Sequence, residues 1–392
     1  MTEAGVDVAG VDIAVIGGGL VGCAVTYELV RSGFRVMLLD KGEICSGASS
    51  ANFGRIQLQD SEPGAPLDLV MHSASIFPAL VRDLGIDVEF ERSGSLMVAQ
   101  TPLEWESLVC AQEAKRRQGL DIRFLDKDAI RAIEPYLDTT HVAGASYSPD
   151  EGQVNPLLYT LALARRSREA GATIMENCPV EGFDVSGGRV HGVFARGERI
   201  ECGAAVITAG AWSYHVGAIL GIEIPIDFVV GEALITEALP RVQNNYFALA
   251  SFFETAHSAG QAASPCCAQT WAGNMLIGEA SQKAKGIQAA AIAESRLRNM
   301  YFTRAALSSE IVRFFPVIKT ASLIRMWRTL APFTSDHRPV LGSSDEVGGL
   351  IICAGFKSTV VMTPLVGRIV KGLLTEGNRS LSREVVHSGF SF

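Results

Sequence analysis

The sequence predicts an α/β protein of two lobes, one built on a parallel sheet and the other an α+β lobe on a mainly antiparallel sheet. Three observations predict it. Near the amino end of the chain an apolar run breaks into glycines, a helical pattern, a second apolar run and an acid. Two later segments, SGSLMVAQ at 93–100 and GEALITEA at 231–238, alternate as half-buried antiparallel strands do. At 392 residues the chain also exceeds the usual size of a single core.

The first of these stretches reads VDIAVIGGGLVGCAVTYELVRSGFRVMLLDKG. Ile13 to Ile16 form a short apolar run bounded by glycine, as expected of a strand buried on both faces. Gly17, Gly19 and Gly22 make G-x-G-x-x-G, and from Leu20 the period becomes helical, with Val21, Ala24, Val25 and Leu29 on one side. Gly33 ends that helix; Arg35 to Leu39 is a second strand, with Asp40 at its carboxyl end. Glycines let a backbone approach a pyrophosphate, a helix amino end supplies N–H groups and a positive dipole, and an acid placed like Asp40 accepts hydrogen bonds from a ribose. The stretch therefore predicts a dinucleotide cradle. Asp40 disfavours NADP, whose 2′-phosphate it would repel, and leaves FAD and NAD open.

Composition bounds the rest. Apolar types make up 48% and charged types 19% of the chain, the balance of a globular protein. A formal charge of -8 carries no basic footprint for nucleic acid. No run of eighteen apolar residues lacks glycine or charge, so no transmembrane segment is expected. MTEAGVDVAG has acids where a signal peptide has positive charge and reads as a loose tail. Eight scattered cysteines without a C-x-x-C pair predict reduced thiols in a cytoplasmic protein, adjacent Cys266 and Cys267 included. The seven histidines, among them His257, His337 and His387, show no metal-ligand spacing.

The next segment, KGEICSGASSANFGRIQLQD, is rich in small and hydroxyl residues rather than regular in period. Here the chain resembles the D-amino-acid oxidase superfamily of FAD enzymes, which includes glycine oxidase and the sarcosine oxidases. The resemblance implies a loop along the diphosphate and ribityl chain made by Ala48, Ser49, Ser50, Asn52, Phe53, Gly54 and Arg55, with Lys41 following the ribose-binding acid. Four later segments are similar to the same family in the same order. YSPDEGQVNPLLYTLALARRSREAGATIMENCPVEGF (147–183) reads as a turn, a helix opened by Pro156 and a strand ending near Val180, whose backbone would meet the adenine. AAVITAGAWS (204–213) brings Ala209, Gly210 and Trp212 to the cofactor. RMWRTLAPFTSDHRPVLG (325–342) matches the family's W-x-x-L-x-P-x-T-x-D stretch. IICAGFKSTVVMTPLVG (351–367) ends in a turn, Gly355, Phe356, Lys357, Ser358 and Thr359, whose amides would lie near the flavin pyrimidine.

The resemblance implies a Rossmann-like FAD-binding domain of the glutathione-reductase type from 11–85, 146–225 and 326–385. It places the substrate domain in 86–145 and 226–325, with a helical stretch at 289–307 packed on it. It implies oxidation of a C–N bond, hydride passing to the flavin and water hydrolysing the imine, in a site that grips the substrate carboxylate.

Two departures mark this chain. Glycine-oxidase-like members carry arginine before the proline of the third segment, where this chain has Ala331, and the final turn is one residue shorter. Lys357, Arg55 and Arg325 are then the catalytic candidates, with Arg328 a further possible anchor. The string AGFKSTVVMTPLVG is most similar to the catalytic subunit of octopine and nopaline (opine) oxidases. That likeness implies a secondary-amine amino-acid substrate and a hetero-oligomer whose other subunits carry further redox centres. The alternatives are a stand-alone glycine, sarcosine or D-amino-acid oxidase making hydrogen peroxide, and a flavin-binding subunit without catalysis.

Overall fold

A computed structural model describes residues 10–251, 262–284 and 300–375. Two eight-stranded sheets organise it. In the first, Val340–Ser343, Leu350–Ala354, Glu198–Ile207, Val11–Ile16, Val36–Leu39 and Thr173–Met175 lie side by side, parallel except for the Val340–Ser343 edge. Val180–Ser186 and Arg189–Ala195 extend it as an antiparallel flap on Glu198–Ile207. Val11–Ile16 pairs on both edges, and its buried part, Ile13–Ile16, is covered on both faces, which is why those four residues are all apolar.

Helices Leu20–Arg31, Pro156–Glu169 and Thr359–Thr375 cover one face of this sheet around Leu20, Val25, Leu29 and Val366. Asn155 starts the middle one, its side chain accepting from the N–H of Leu158 at 3.2 Å. Leu20–Arg31 and Thr359–Thr375 pack closely because Gly367 is bare: a Cβ there would come 2.8 Å from Glu28 Cβ and 2.9 Å from Ala24 O.

The second sheet runs Leu323–Phe333, Asp227–Ala238, Asn274–Ala284, Ala262–Gln269, Tyr246–Leu249, Ser95–Ala99, Gly144–Ser148 and Arg123–Leu125. It is antiparallel apart from the pairing of Tyr246–Leu249 with Ser95–Ala99. Helix Met300–Phe314 backs it, with Leu307, Ile311 and Phe314 in a third core.

Several expectations shift. Leu323–Phe333 belongs to the second sheet, not to the cofactor lobe from 326, because it pairs with the adjacent strand continuously from Thr236↔Leu323 to Asp227↔Phe333. Gly144–Ser148 likewise stays in the second sheet past 146. Val180 opens a strand rather than ending one; the strand after the helix closes at Met175. The loop expected to be irregular holds a short helix, Ala48–Ala51, and a two-residue strand, Arg55–Ile56, paired with Gly152–Gln153. Residues 300–307 of the expected helical stretch are helical; its remainder, the tail at 1–9, residues 376–385, His257 and His387 lie outside the described residues. All eight thiols are free and all but Cys110 are buried.

Candidate active site and cofactor cleft

The carboxyl ends of the parallel strands open onto a cavity of about 840 Å³ that reaches across to the second sheet. Its first wall is the glycine turn. Gly17 has φ +111°, and a Cβ on it would lie 2.6 Å from Thr208 O, so only glycine brings the strand end this close to its neighbour. Gly22 does not line the cavity; it seats the helix on the turn, since a Cβ there would come 1.8 Å from Gly17 O. Helix Leu20–Arg31 begins at Gly19, which brings no side chain of its own to cap it, and has no acid in its first turn. An uncapped helix amino end facing a cleft is a site for an anion. Gly19, Leu20 and Val21 line the cleft there, and Ser49 Oγ accepts from the N–H of Leu20 at 2.8 Å.

Asp40 is fixed by two backbone donors, Gly18 at 2.5 Å and Gly42 at 2.7 Å, which hold its carboxylate at the mouth of the second strand. Beside it Lys41 Nζ sits 3.4 Å from the centre of the Trp212 ring, closing the outer end with Val180, Ala209 and Gly210. Ala48, Ser49, Asn52 and Phe53 follow along the wall. Asn52 organises this turn, its Oδ1 accepting from Gly54 N at 2.7 Å and its Nδ2 donating to Ser49 O at 2.5 Å. Ser50 is exposed outside the cavity, and Gly54 (φ +68°) serves a close approach to Val154 O rather than the cleft. Gly355, Phe356, Lys357, Ser358 and Thr359 complete the far side.

A long apolar-to-polar groove with bare glycines, an uncapped helix end and a paired acid at the strand mouth fits the diphosphate, ribose and adenine of FAD. Gly17, Gly19, Leu20 and Ser49 would hold the diphosphate, Asp40 the ribose, and the turn from Gly355 to Thr359 the flavin end.

The catalytic candidates separate. Arg55 lines the cavity 7% exposed, and its three guanidinium nitrogens are buried with no hydrogen-bond partner among the described residues. Its Cζ lies 4.1 Å from the centre of the Tyr246 ring. Burial pulls its pKa below the ordinary value, yet a guanidinium stays protonated, so the site holds a cation that the carboxylates of Glu151 and Glu91 influence but do not pair with. Lys357 also lines the cavity, its Nζ donating to Asp60 O at 2.7 Å. Arg325 is corrected: it is exposed and outside the cavity; it shares the alternating face of Trp327, Thr329 and Ala331, but the cavity reaches along this strand only as far as Trp327. Arg328 is spoken for by Glu232, Nε to Oε1 at 2.7 Å, both side chains largely buried.

The second sheet contributes residues that sequence reasoning missed: Tyr246, Cys266, Gly231 and Glu279. Glu279 carried a signal, an acid inside the otherwise apolar NMLIGEA. Burial pushes its carboxyl up to about 7. Among the described residues there is no cluster of three or more potential metal ligands.

The family model described as FAD dependent oxidoreductase (DAO) matches residues 12–373. The chain is 31% identical over 374 residues to glycine oxidase of Geobacillus kaustophilus, covering 93% of this chain and 92% of the relative. It is 25% identical over 364 residues to one of the subunits of opine oxidase from Agrobacterium tumefaciens, covering 88% of each. The crystal structure of L-proline dehydrogenase from P. horikoshii superposes with a TM-score of 0.84 at 26% identity, covering 95% of each chain. The chain therefore belongs to the DAO family and is an FAD-dependent oxidoreductase.

Proposed function

We propose that the protein oxidises the C–N bond of a carboxylate-bearing amine, an amino acid or an opine-like secondary amine, as the catalytic subunit of a hetero-oligomeric dehydrogenase. One observation carries the reading: Arg55, a buried cation with no hydrogen-bond or ion-pair partner among the described residues, on the wall of the cofactor cavity. Burying an uncompensated charge costs several kcal/mol, and a substrate carboxylate docking bidentately is the natural compensation. On this reading the anchor is Arg55 rather than position 331, where the small Ala331 widens the inner face of the sheet for a substrate bulkier than glycine. Bound FAD supplies the hydride acceptor, and water hydrolyses the imine. Arg55 orients the substrate, Lys357 adds positive charge at the same wall, and the apolar sheet face excludes water. The opine and hetero-oligomer parts of the proposal are supported by the likeness to the opine oxidase chain and by the AGFKSTVVMTPLVG string.

A second reading, a stand-alone oxidase of glycine, sarcosine or a D-amino acid, is favoured by the higher identity to glycine oxidase, 31% against 25%. The purified flavoprotein, with whatever copurifies, decides when octopine, nopaline, sarcosine and D-alanine are added anaerobically and then exposed to air. Bleaching by opines with slow reoxidation supports the first reading. Bleaching by sarcosine or D-alanine with rapid peroxide formation supports the second. A yellow protein bleached by none of them defeats both and leaves a flavin-binding subunit without catalysis.

A further inference from the structure

Glu279 lines the cavity from the strand Asn274–Ala284, and among the described residues no hydrogen bond or ion pair engages its carboxyl. The wall around it is shaped to leave it open. Gly231 on the neighbouring strand has no side chain, and a Cβ there would lie 3.6 Å from Glu279 Oε1 and 4.0 Å from Thr329 Cγ2.

The groups facing it come from four elements. Cys266 and Tyr246 stand beside it on the next two strands, and both feel the charges of Glu279 and Arg55. Burial raises both of their pKa values, so they are neutral. Arg55 comes from the Arg55–Ile56 strand, and Glu232 on the Gly231 strand is committed to Arg328. The cavity thus presents a cation, Arg55, and an anion, Glu279, that both act on Tyr246 and Cys266 and are not hydrogen-bonded or ion-paired to each other, a polarity matched by a zwitterion.

Resting on the function proposed above, we propose that Glu279 receives the substrate ammonium while Arg55 holds the carboxylate, and that its carboxylate takes one amine proton. The N–H bond breaks, an O–H bond forms on Glu279, and the nitrogen lone pair is free when the hydride leaves the neighbouring carbon for bound FAD. A carboxyl titrating near neutrality suits that transfer. Because the base acts ionised, kcat/KM of the wild-type protein rises with pH through about 7.

The test compares the FAD-loaded full chain with Glu279→Gln in anaerobic flavin reduction by sarcosine and by octopine, from mildly acid to alkaline pH. The expected result is a fall of at least tenfold in kcat/KM at neutral pH and a profile displaced to alkaline pH, following the amine's own ionisation. Flavin content, and the flavin spectral shift produced by propionate, which has a carboxylate and no amine, stay unchanged. Glu279→Asp, still a carboxylate, retains the rise near neutrality.

Coincident profiles for wild type and Glu279→Gln overturn the inference alone, leaving the proposed function standing. So does a loss confined to octopine, which would make Glu279 a recognition site for the distal guanidinium. A wild-type holoprotein reduced by no amine overturns the proposed function and this inference with it.

Discussion

At the amino end of helix Leu20–Arg31 the cavity wall is backbone: bare glycines, free N–H groups and an acid held by two main-chain donors. Across the cavity the wall is side chains from strands far apart in the chain, and two of them, Arg55 on the short Arg55–Ile56 strand and Glu279 on the second sheet, carry charges that no hydrogen bond or ion pair engages among the described residues. The difference teaches which end is finished before a ligand arrives. The backbone end satisfies itself and waits with a dipole; the side-chain end holds buried charge in want of a counter-charge, and that want is its specificity.

Breaking the backbone end should have the largest effect. Gly22→Val drives a Cβ into Gly17 O, an overlap that only a shift of helix against strand relieves. We expect destabilisation of about 3 kcal/mol or more and protein that purifies without flavin, read from the visible spectrum and a chemical melt.

At the side-chain end, Arg55→Met should separate stability from function. Removing an uncompensated buried charge leaves the melting temperature unchanged or raised, while kcat/KM for carboxylate-bearing amines falls about a hundredfold. A drop in both would show that Arg55 is a structural residue.

Asp40→Ala returns to the first end with a milder expectation. Gly18 and Gly42 lose their acceptor, and flavin affinity should weaken about tenfold in equilibrium dialysis, with the substrate end unaffected once the protein is saturated.

The smallest effect is a pH trend in stability. Glu279 has a folded pKa of about 7, above the ordinary carboxyl value, so the folded state binds the extra proton. Its contribution to stability therefore declines as pH rises from the unfolded pKa through about 7. Glu279→Gln should gain on the wild type between mildly acid and mildly alkaline pH in paired urea titrations; parallel curves would place the carboxyl in water.

How readable each end was follows from the same contrast. Strand, glycine turn, helix, strand and acid occupy one unbroken stretch, Val11 to Asp40, and each interaction there spans few residues or uses the main chain, so period and glycine spacing announce it. The resemblance likewise carried the later cofactor segments, because each is a short string ending a strand or opening a helix.

The substrate wall has no such string. Arg325 and Arg328 were equally plausible as letters; how far the cavity reaches along their strand leaves Arg325 outside it, and Arg328 is removed from the reckoning by an acid on the adjoining strand. The continuation of Leu323–Phe333 in the second sheet past the expected boundary is settled by pairing with Asp227–Ala238, a partner nearly a hundred residues earlier. Arg55, Tyr246, Cys266 and Glu279 meet only after three neighbouring strands of the second sheet and the separate Arg55–Ile56 strand are brought together. Local periodicity encodes what a segment buries; which buried charges face one another is a matter of register between segments, and register exists only in the folded chain.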